Sequence, residues 1–150
     1  LRRPVDRFER TWSYDSTYAR ELVRTDPIAA LKFGFGTVIA QHRAFEAPLG
    51  AFYAAKLASA MWEDCGPCAQ LAADMAVRAG VPVATVRALA SGERAGVDEA
   101  ALIGRDFTLA VLGRDDETAD RLRAEIVRRW GERTLVSLSL ALTGARLFPT

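Results

Sequence analysis

The sequence has very few of the residues that bind metals or cross-link secreted folds. Its 150 residues include 2 cysteines and 1 histidine. Cys65 and Cys68 are separated by only two residues, so they cannot join distant parts of a secreted fold, and their spacing is typical of a redox dithiol. Two thiols and one imidazole would need carboxylates to complete a four-ligand zinc site. We therefore expect no metal and no cofactor.

Long hydrophobic runs and an excess of one charge are also missing. Polar residues between positions 41 and 46 interrupt the longest apolar run before it reaches the length of a bilayer span, and no secretory signal is visible. The formal net charge is only +1, which is too small to indicate a nucleic-acid-binding surface. We expect a cytoplasmic protein with neither a membrane nor a nucleic acid as partner.

The composition that is present indicates a globular, helical chain. Half of the residues are hydrophobic and 26% are charged, which argues against extensive disorder. No stretch alternates apolar and polar residues with a period of two, so strands are not expected. We predict an all-α fold of about eight helices, with a basic N-terminal extension over residues 1–14 and one helical domain over residues 15–150.

The helix limits are predicted from residues that begin and end helices. Asp26 followed by Pro27 favours a helix start, with the aspartate as N-cap. Four glycines stand where the residue after a helix is expected to be left-handed: Gly80, Gly92, Gly113 and Gly131. The predicted helices run over residues 16–24, 27–39, 48–62, 67–79 and 81–92, over two segments that end at 113 and 131, and over 134–148.

The two cysteines are predicted to lie at the start of a helix. Pro67 suits the first helical turn, which places Cys65 at or beside the N-cap. Unpaired amide groups and the positive end of the helix dipole would lower the pKa of a thiol there, while Cys68, one turn on, would form the disulfide. Negative charge on Glu63 and Asp64 opposes this effect, although Glu63 becomes a proton acceptor if burial raises its pKa. The alternative is two small buried thiols that happen to be close.

Four side chains share one stripe of the helix that precedes the dithiol: Tyr53, Lys56, Ala60 and Glu63. In a catalytic interpretation, Lys56 stabilises a thiolate, Glu63 moves a proton and Tyr53 is a further candidate catalytic residue. In the alternative, Lys56 extends its ammonium group to solvent and Tyr53 is a half-buried residue at the rim. His42, at the polar end of the second helix, is not expected to reach the dithiol.

Several features occur along the chain in one order. A helix leads directly into the Cys-x-x-Cys motif over residues 56–68, and the next helix ends in Ala-Gly-Val-Pro at 79–82. A short helix ends at 90–92, and a helix pair and an apolar last helix follow over residues 98–148. In this order the chain resembles the alkylhydroperoxidase D (AhpD)-like, carboxymuconolactone decarboxylase superfamily over about residues 25–150.

The resemblance implies an all-helical thiol oxidoreductase that reduces a peroxide or a disulfide through Cys65 and Cys68. It also implies a homo-oligomer (a dimer, trimer or hexamer) and a dithiol or lipoyl-type electron donor. Which cysteine attacks first stays open, because the helix start favours Cys65 as the more acidic thiol and the resemblance implies that Cys68 meets the peroxide.

The chain departs from the family pattern at two positions of the proton relay. The family expects a histidine four residues after the second cysteine and a glutamate twelve residues before the first, where this chain has Ala72 and Tyr53. The alternative function is therefore a non-catalytic or redox-sensing oligomer on the same scaffold. Decarboxylation of a lactone is a weaker third interpretation, since no set of groups that would stabilise a carbanion is evident.

Overall fold

All regular structure in the computed structural model is helical, over the residues that it describes, 2–144. This part of the chain contains no strand, so the predicted all-α class is confirmed. Its helices are α1 (Arg2–Trp12), α2 (Thr17–Thr25), α3 (Pro27–Ala40), α4 (Leu49–Trp62), α5 (Gly66–Ala79), α6 (Val83–Ser91), α7 (Glu99–Gly113), α8 (Asp116–Trp130) and α9 (Glu132–Gly144). The last residues of the helix predicted over 134–148 lie outside the described residues.

The chain divides into two compact units, residues 1–39 and 40–150. The division falls at the end of α3, whereas the sequence placed a boundary after residue 14. Most of that predicted basic extension forms α1, which accounts for one helix more than expected.

The first unit is held together by capping and ion-pair contacts between short helices. The Glu9 carboxylate on α1 accepts hydrogen bonds from the Ser16 amide, at 3.1 Å, and from Arg20 Nε on α2, at 3.0 Å. At the start of α3, Asp26 Oδ1 accepts from the amides of Ile28 and Ala29 at 3.0 and 2.9 Å. The predicted N-cap at Asp26 is therefore confirmed, because these amides have no partner within the helix.

The second unit is built around α4, which packs against α5, α6, α7 and α9. Nine of its 14 residues are buried. The helix is rich in alanine, so its neighbours approach closely. At Gly104 on α7, a β-carbon would lie only 2.2 Å from the Ala51 carbonyl oxygen on α4. The larger core side chains fill the space around this contact: Phe52, Phe107, Leu122, Ile126 and Leu138.

The helix ends confirm two of the predicted glycine positions and correct a third. Gly80 and Gly92 are left-handed, with φ of 107° and 79°, directly after α5 and α6. Gly113 is instead the last residue of α7, and Arg114 is left-handed with φ 57°. Gly131 ends α8 with φ 83° but an extended ψ of 168°. The chain thus places a left-handed residue after α7 without using the adjacent glycine.

Candidate functional site

The turn between α4 and α5 fixes the backbone that carries the dithiol. Asp64 is left-handed, with φ 52°. Its amide donates to the Met61 carbonyl and the next amide, of Cys65, donates to the Ala60 carbonyl, each at 3.1 Å. These two bonds form a Schellman motif, which closes the end of α4. Cys65 is therefore held by α4 before α5 begins.

Cys65 is the N-cap of α5, as the sequence predicted. Its Sγ accepts a hydrogen bond from the Cys68 amide at 3.3 Å, and Pro67 occupies the first turn. This is the position where a side-chain acceptor satisfies an amide that the helix leaves unpaired. Cys65 and Cys68 are joined in a disulfide with an S–S distance of 2.07 Å. The residue at the N-cap is thus one half of a closed dithiol.

The two sulfur-bearing residues differ in exposure. Cys65 is half-buried, whereas Cys68 retains only 7% of its surface. Ala72, one turn beyond Cys68, is also 7% exposed and packs in a cluster with Leu57 and Val86. The position where the family pattern expects a histidine is therefore part of the hydrophobic core.

Lys56 lies in the protein interior and not at the surface. It is 8% exposed, its Nζ donates to Gln41 Oε1, and it lies 5.1 Å from the centre of the Phe52 ring. Burial lowers the pKa of Lys56 to about 8, because the ammonium ion loses hydration. The interpretation in which this side chain extends to solvent is wrong. Its ammonium group donates to Gln41 and to neither sulfur.

Tyr53 lies on the same side of α4 and is half-buried, as the rim interpretation expected. Its ring meets Phe52 edge-on, with 5.3 Å between the ring centres. Burial raises the pKa of the Tyr53 phenol, and the nearby Arg43 charge partly opposes this shift. The phenol therefore stays protonated at neutral pH, and it cannot act as the carboxylate that the family pattern expects there.

Glu63 is the candidate proton carrier nearest to the dithiol along the chain. It is the half-buried C-cap of α4, and its amide donates to the Ser59 carbonyl at 3.1 Å. His42 is exposed in the loop that follows α3. The structure thus joins Cys65 to Cys68, places Glu63 two residues away, and gives Lys56 a separate partner.

Two features near the site were missed by sequence reasoning. The left-handed conformation of Asp64 is one of them, although aspartate is enriched among left-handed residues, which is a signal that could have identified it. Gln41 had no such signal, because it lies in a loop 15 residues before Lys56 and only the fold brings them together.

Between residues 2 and 144, no three histidine, cysteine or carboxylate side chains are grouped so that they could hold a metal ion. None of the helices described is both long and apolar enough to cross a bilayer.

Comparison with known proteins adds no relative: no protein-family model, curated protein or solved structure matches the chain. The resemblance to AhpD-like proteins therefore stays a prediction from the Cys-x-x-Cys motif and the order of the sequence features around it.

Proposed function

We propose that the chain is an AhpD-like thiol oxidoreductase that reduces a peroxide or a disulfide through Cys65 and Cys68. The observation that carries the proposal is the position of Cys65 at the N-cap of α5, where its sulfur accepts an amide hydrogen bond. Such a bond and the helix dipole stabilise a thiolate more than a thiol, which lowers the thiol pKa and raises its reactivity at neutral pH.

The proposed peroxide reaction consumes the dithiol form. One thiolate attacks the terminal oxygen of the hydroperoxide, the O–O bond breaks, and the alcohol leaves with a proton, so that a sulfenic acid forms. The second cysteine attacks the sulfenic sulfur and displaces hydroxide, which takes a proton and leaves as water. The pair is then the disulfide seen between Cys65 and Cys68. The exposure of the two residues does not determine which cysteine attacks the peroxide.

Exposure does favour one cysteine for the return step. A donor thiolate attacks the half-buried Cys65 sulfur more easily than the Cys68 sulfur, which forms a mixed disulfide and releases the Cys68 thiolate. The second thiol of the donor then attacks the mixed disulfide, which restores Cys65 and leaves the donor oxidised. A dithiol or lipoyl-type donor suits this step because both thiols belong to one molecule. We extend the proposal to a homo-oligomer, as in the family that the chain resembles.

Glu63 is the residue that we propose as proton acceptor. It is half-buried and lies two residues before Cys65, and the sequence places it on the same stripe of α4 as Tyr53, whose phenol stays protonated. A carboxylate so close also opposes formation of a second negative charge on sulfur. Glu63→Gln would therefore speed alkylation of the Cys65 thiol but slow turnover if Glu63 carries the proton.

A peroxidase assay tests the proposal. Purified protein is mixed with cumene hydroperoxide and dihydrolipoamide, and loss of hydroperoxide is followed beside the Cys65→Ser, Cys68→Ser and double variants. We expect turnover by the wild type and none by the variants. Wild-type turnover no faster than that of the double variant would exclude the peroxidase, and failure to reduce a disulfide substrate as well would exclude the oxidoreductase.

A redox sensor is the second candidate, and the burial of Ala72 favours it. The proton relay of the family is absent at both positions, since Ala72 lies in the core and Tyr53 is a protonated phenol. A sensor requires slow, stoichiometric oxidation without turnover. It predicts that oxidation changes the oligomeric state or the melting temperature, measured by light scattering and calorimetry on the oxidised and reduced protein.

A further inference from the structure

A cavity of about 240 Å³ lies between α4, α6 and α7, and neither cysteine is among the residues that line it. Its walls are mainly aliphatic, with Leu57, Leu89 and Leu109 from the three helices. Met61 and Trp62, at the end of α4, also line it and are 42% and 48% exposed, so the lining reaches the surface there. An apolar cavity with an opening of this kind is the usual form of a small-molecule site.

Arg105 on α7 is the one charged residue among the described residues that line this cavity. Its Nη2 lies 3.5 Å from the Gly92 carbonyl at the end of α6. Its Nη1 is buried and has no hydrogen-bond partner among residues 2–144. Burial of a guanidinium nitrogen without a hydrogen-bond partner lowers the stability of the fold.

The surroundings of Arg105 hold the guanidinium in place without neutralising it. The Gly92 carbonyl belongs to the C-terminal end of α6, where the helix dipole favours a cation. The neighbouring Asp106 is already bound by both terminal nitrogens of Arg94, at 2.9 Å each. Arg105 lines the cavity, and the hydrogen bond that its guanidinium donates among residues 2–144 goes to an uncharged carbonyl, so its positive charge is not neutralised there.

We propose that this cavity binds a small carboxylic acid with an apolar tail, whose carboxylate pairs with Arg105. The guanidinium matches a carboxylate in shape and charge, and the leucine walls match the tail. Since a cavity of about 150 Å³ holds benzene, 240 Å³ corresponds to a ligand of about ten non-hydrogen atoms. The proposal stands apart from the dithiol chemistry and does not depend on it.

Octanoate, which has ten non-hydrogen atoms, is the probe for the test. Binding is measured by isothermal titration calorimetry and by Trp62 fluorescence, with Trp62→Phe to identify the signal. We expect saturable binding to one site with a dissociation constant on the order of 0.1–1 mM. The neutral analogue 1-octanol should bind at least tenfold more weakly.

Variants separate the roles of charge and shape. Arg105→Met should weaken octanoate binding at least tenfold and leave octanol unchanged, whereas Arg105→Lys, which keeps the charge without the planar fork, should lie between. Arg87→Met, at an exposed arginine of α6, is the matched control and should change neither. Ala58→Leu partly fills the cavity and should weaken both ligands.

Two outcomes would overturn the proposal. One is equal octanoate affinity of wild type and Arg105→Met, and the other is no saturable binding to the wild type. We expect Arg105→Met to fold, because the half-buried side chain makes only one long hydrogen bond, at 3.5 Å to the Gly92 carbonyl, and its melting temperature checks this. Binding to the Cys65→Ser/Cys68→Ser protein should equal that of the wild type, so a failed peroxidase assay leaves this test unaffected.

Discussion

Helices α3 and α4 each contain 14 residues, begin beside a proline and are rich in apolar side chains, yet their surroundings are opposite. In α4 nine residues are buried, whereas α3 buries only Ala40. Four large side chains of α3, spaced by three or four residues, are each more than half exposed: Ile28, Leu31, Phe35 and Val38.

The two helices also differ in the size of the side chains at the positions compared. In α4 most buried positions are alanine, so the backbone of α7 approaches until Gly104 touches Ala51. The exposed side of α3 carries leucine, phenylalanine and branched residues, which offer apolar area but no such close fit. Apolar content therefore predicts a helix in both cases, while the pattern of small residues distinguishes the one at the centre of a core.

The largest expected effect comes from a pair of phenylalanines, one on each helix. Phe52 on α4 is 2% exposed and Phe35 on α3 is 68% exposed. Phe52→Ala leaves a cavity and should lower the free energy of unfolding by about 3–5 kcal/mol. Phe35→Ala should change it by less than about 0.5 kcal/mol. Urea unfolding followed by circular dichroism measures both, and equal effects would contradict the comparison.

The next largest effects on stability come from a pair of helical glycines, and the two effects have opposite signs. An alanine β-carbon at Gly104 would clash with the Ala51 backbone, so Gly104→Ala should destabilise the second unit by about 3 kcal/mol. At Gly34 on α3 nothing lies within 4 Å of the added carbon, so Gly34→Ala should stabilise its helix by about 0.5–1 kcal/mol. Hydrogen exchange of the amides in each helix measures the two effects separately. Stabilisation by Gly104→Ala would mean that α4 and α7 are not in contact.

The smallest expected effect is a change in the free energy of unfolding with pH, and it distinguishes Lys56 from Lys32, the two lysines of the chain. Below pH 8, Lys56 is protonated in the folded and the unfolded chain, and burial of its charge destabilises the fold. Between its folded pKa of about 8 and the ordinary value of 10.5, only the unfolded chain keeps the proton, so the free energy of unfolding rises with pH. Lys32 on α3 is exposed, so its charge is not buried.

Substitution of each lysine by methionine isolates this effect. Lys56→Met should raise the free energy of unfolding at pH 7 by about 1–3 kcal/mol, and its advantage over the wild type should shrink up to pH 10.5. Lys32→Met, at an exposed position, is the matched control and should change the free energy of unfolding by less than about 0.5 kcal/mol. Denaturant unfolding at several pH values gives both curves. A constant difference between Lys56→Met and wild type from pH 7 to 10.5 would show that Lys56 keeps an ordinary pKa.

The helix ends show which parts of the fold could be predicted from the sequence. Gly80 and Gly92 were identified because glycine is the usual left-handed residue after a helix. Asp64 and Arg114 take the same left-handed conformation although neither is glycine. At each of them, the same two kinds of backbone hydrogen bond close the end of the helix. Local residue preferences favour glycine, so sequence reasoning chose Gly113 instead of Arg114.

The site was predictable only where local sequence determines it. Cys65 at the N-cap follows from Pro67 and the Cys-x-x-Cys spacing, and the structure has it there. The burial of Lys56 was not predictable, because it depends on packing around α4 and on Gln41 in a distant loop. The Arg105 cavity was missed for the same reason, since α4, α6 and α7 each supply part of its lining.

Activation of Cys65 by the first turn of α5 is tested most directly on reduced Cys68→Ser protein, which has Cys65 as its single thiol. The rate of iodoacetamide alkylation is measured against pH, with unfolded protein in urea as the control. The hydrogen bond from the Cys68 amide and the helix dipole at the N-cap predict a thiol pKa at least one unit below the ordinary value of about 8.5. A pKa at or above about 8.5 in the folded protein would contradict the account.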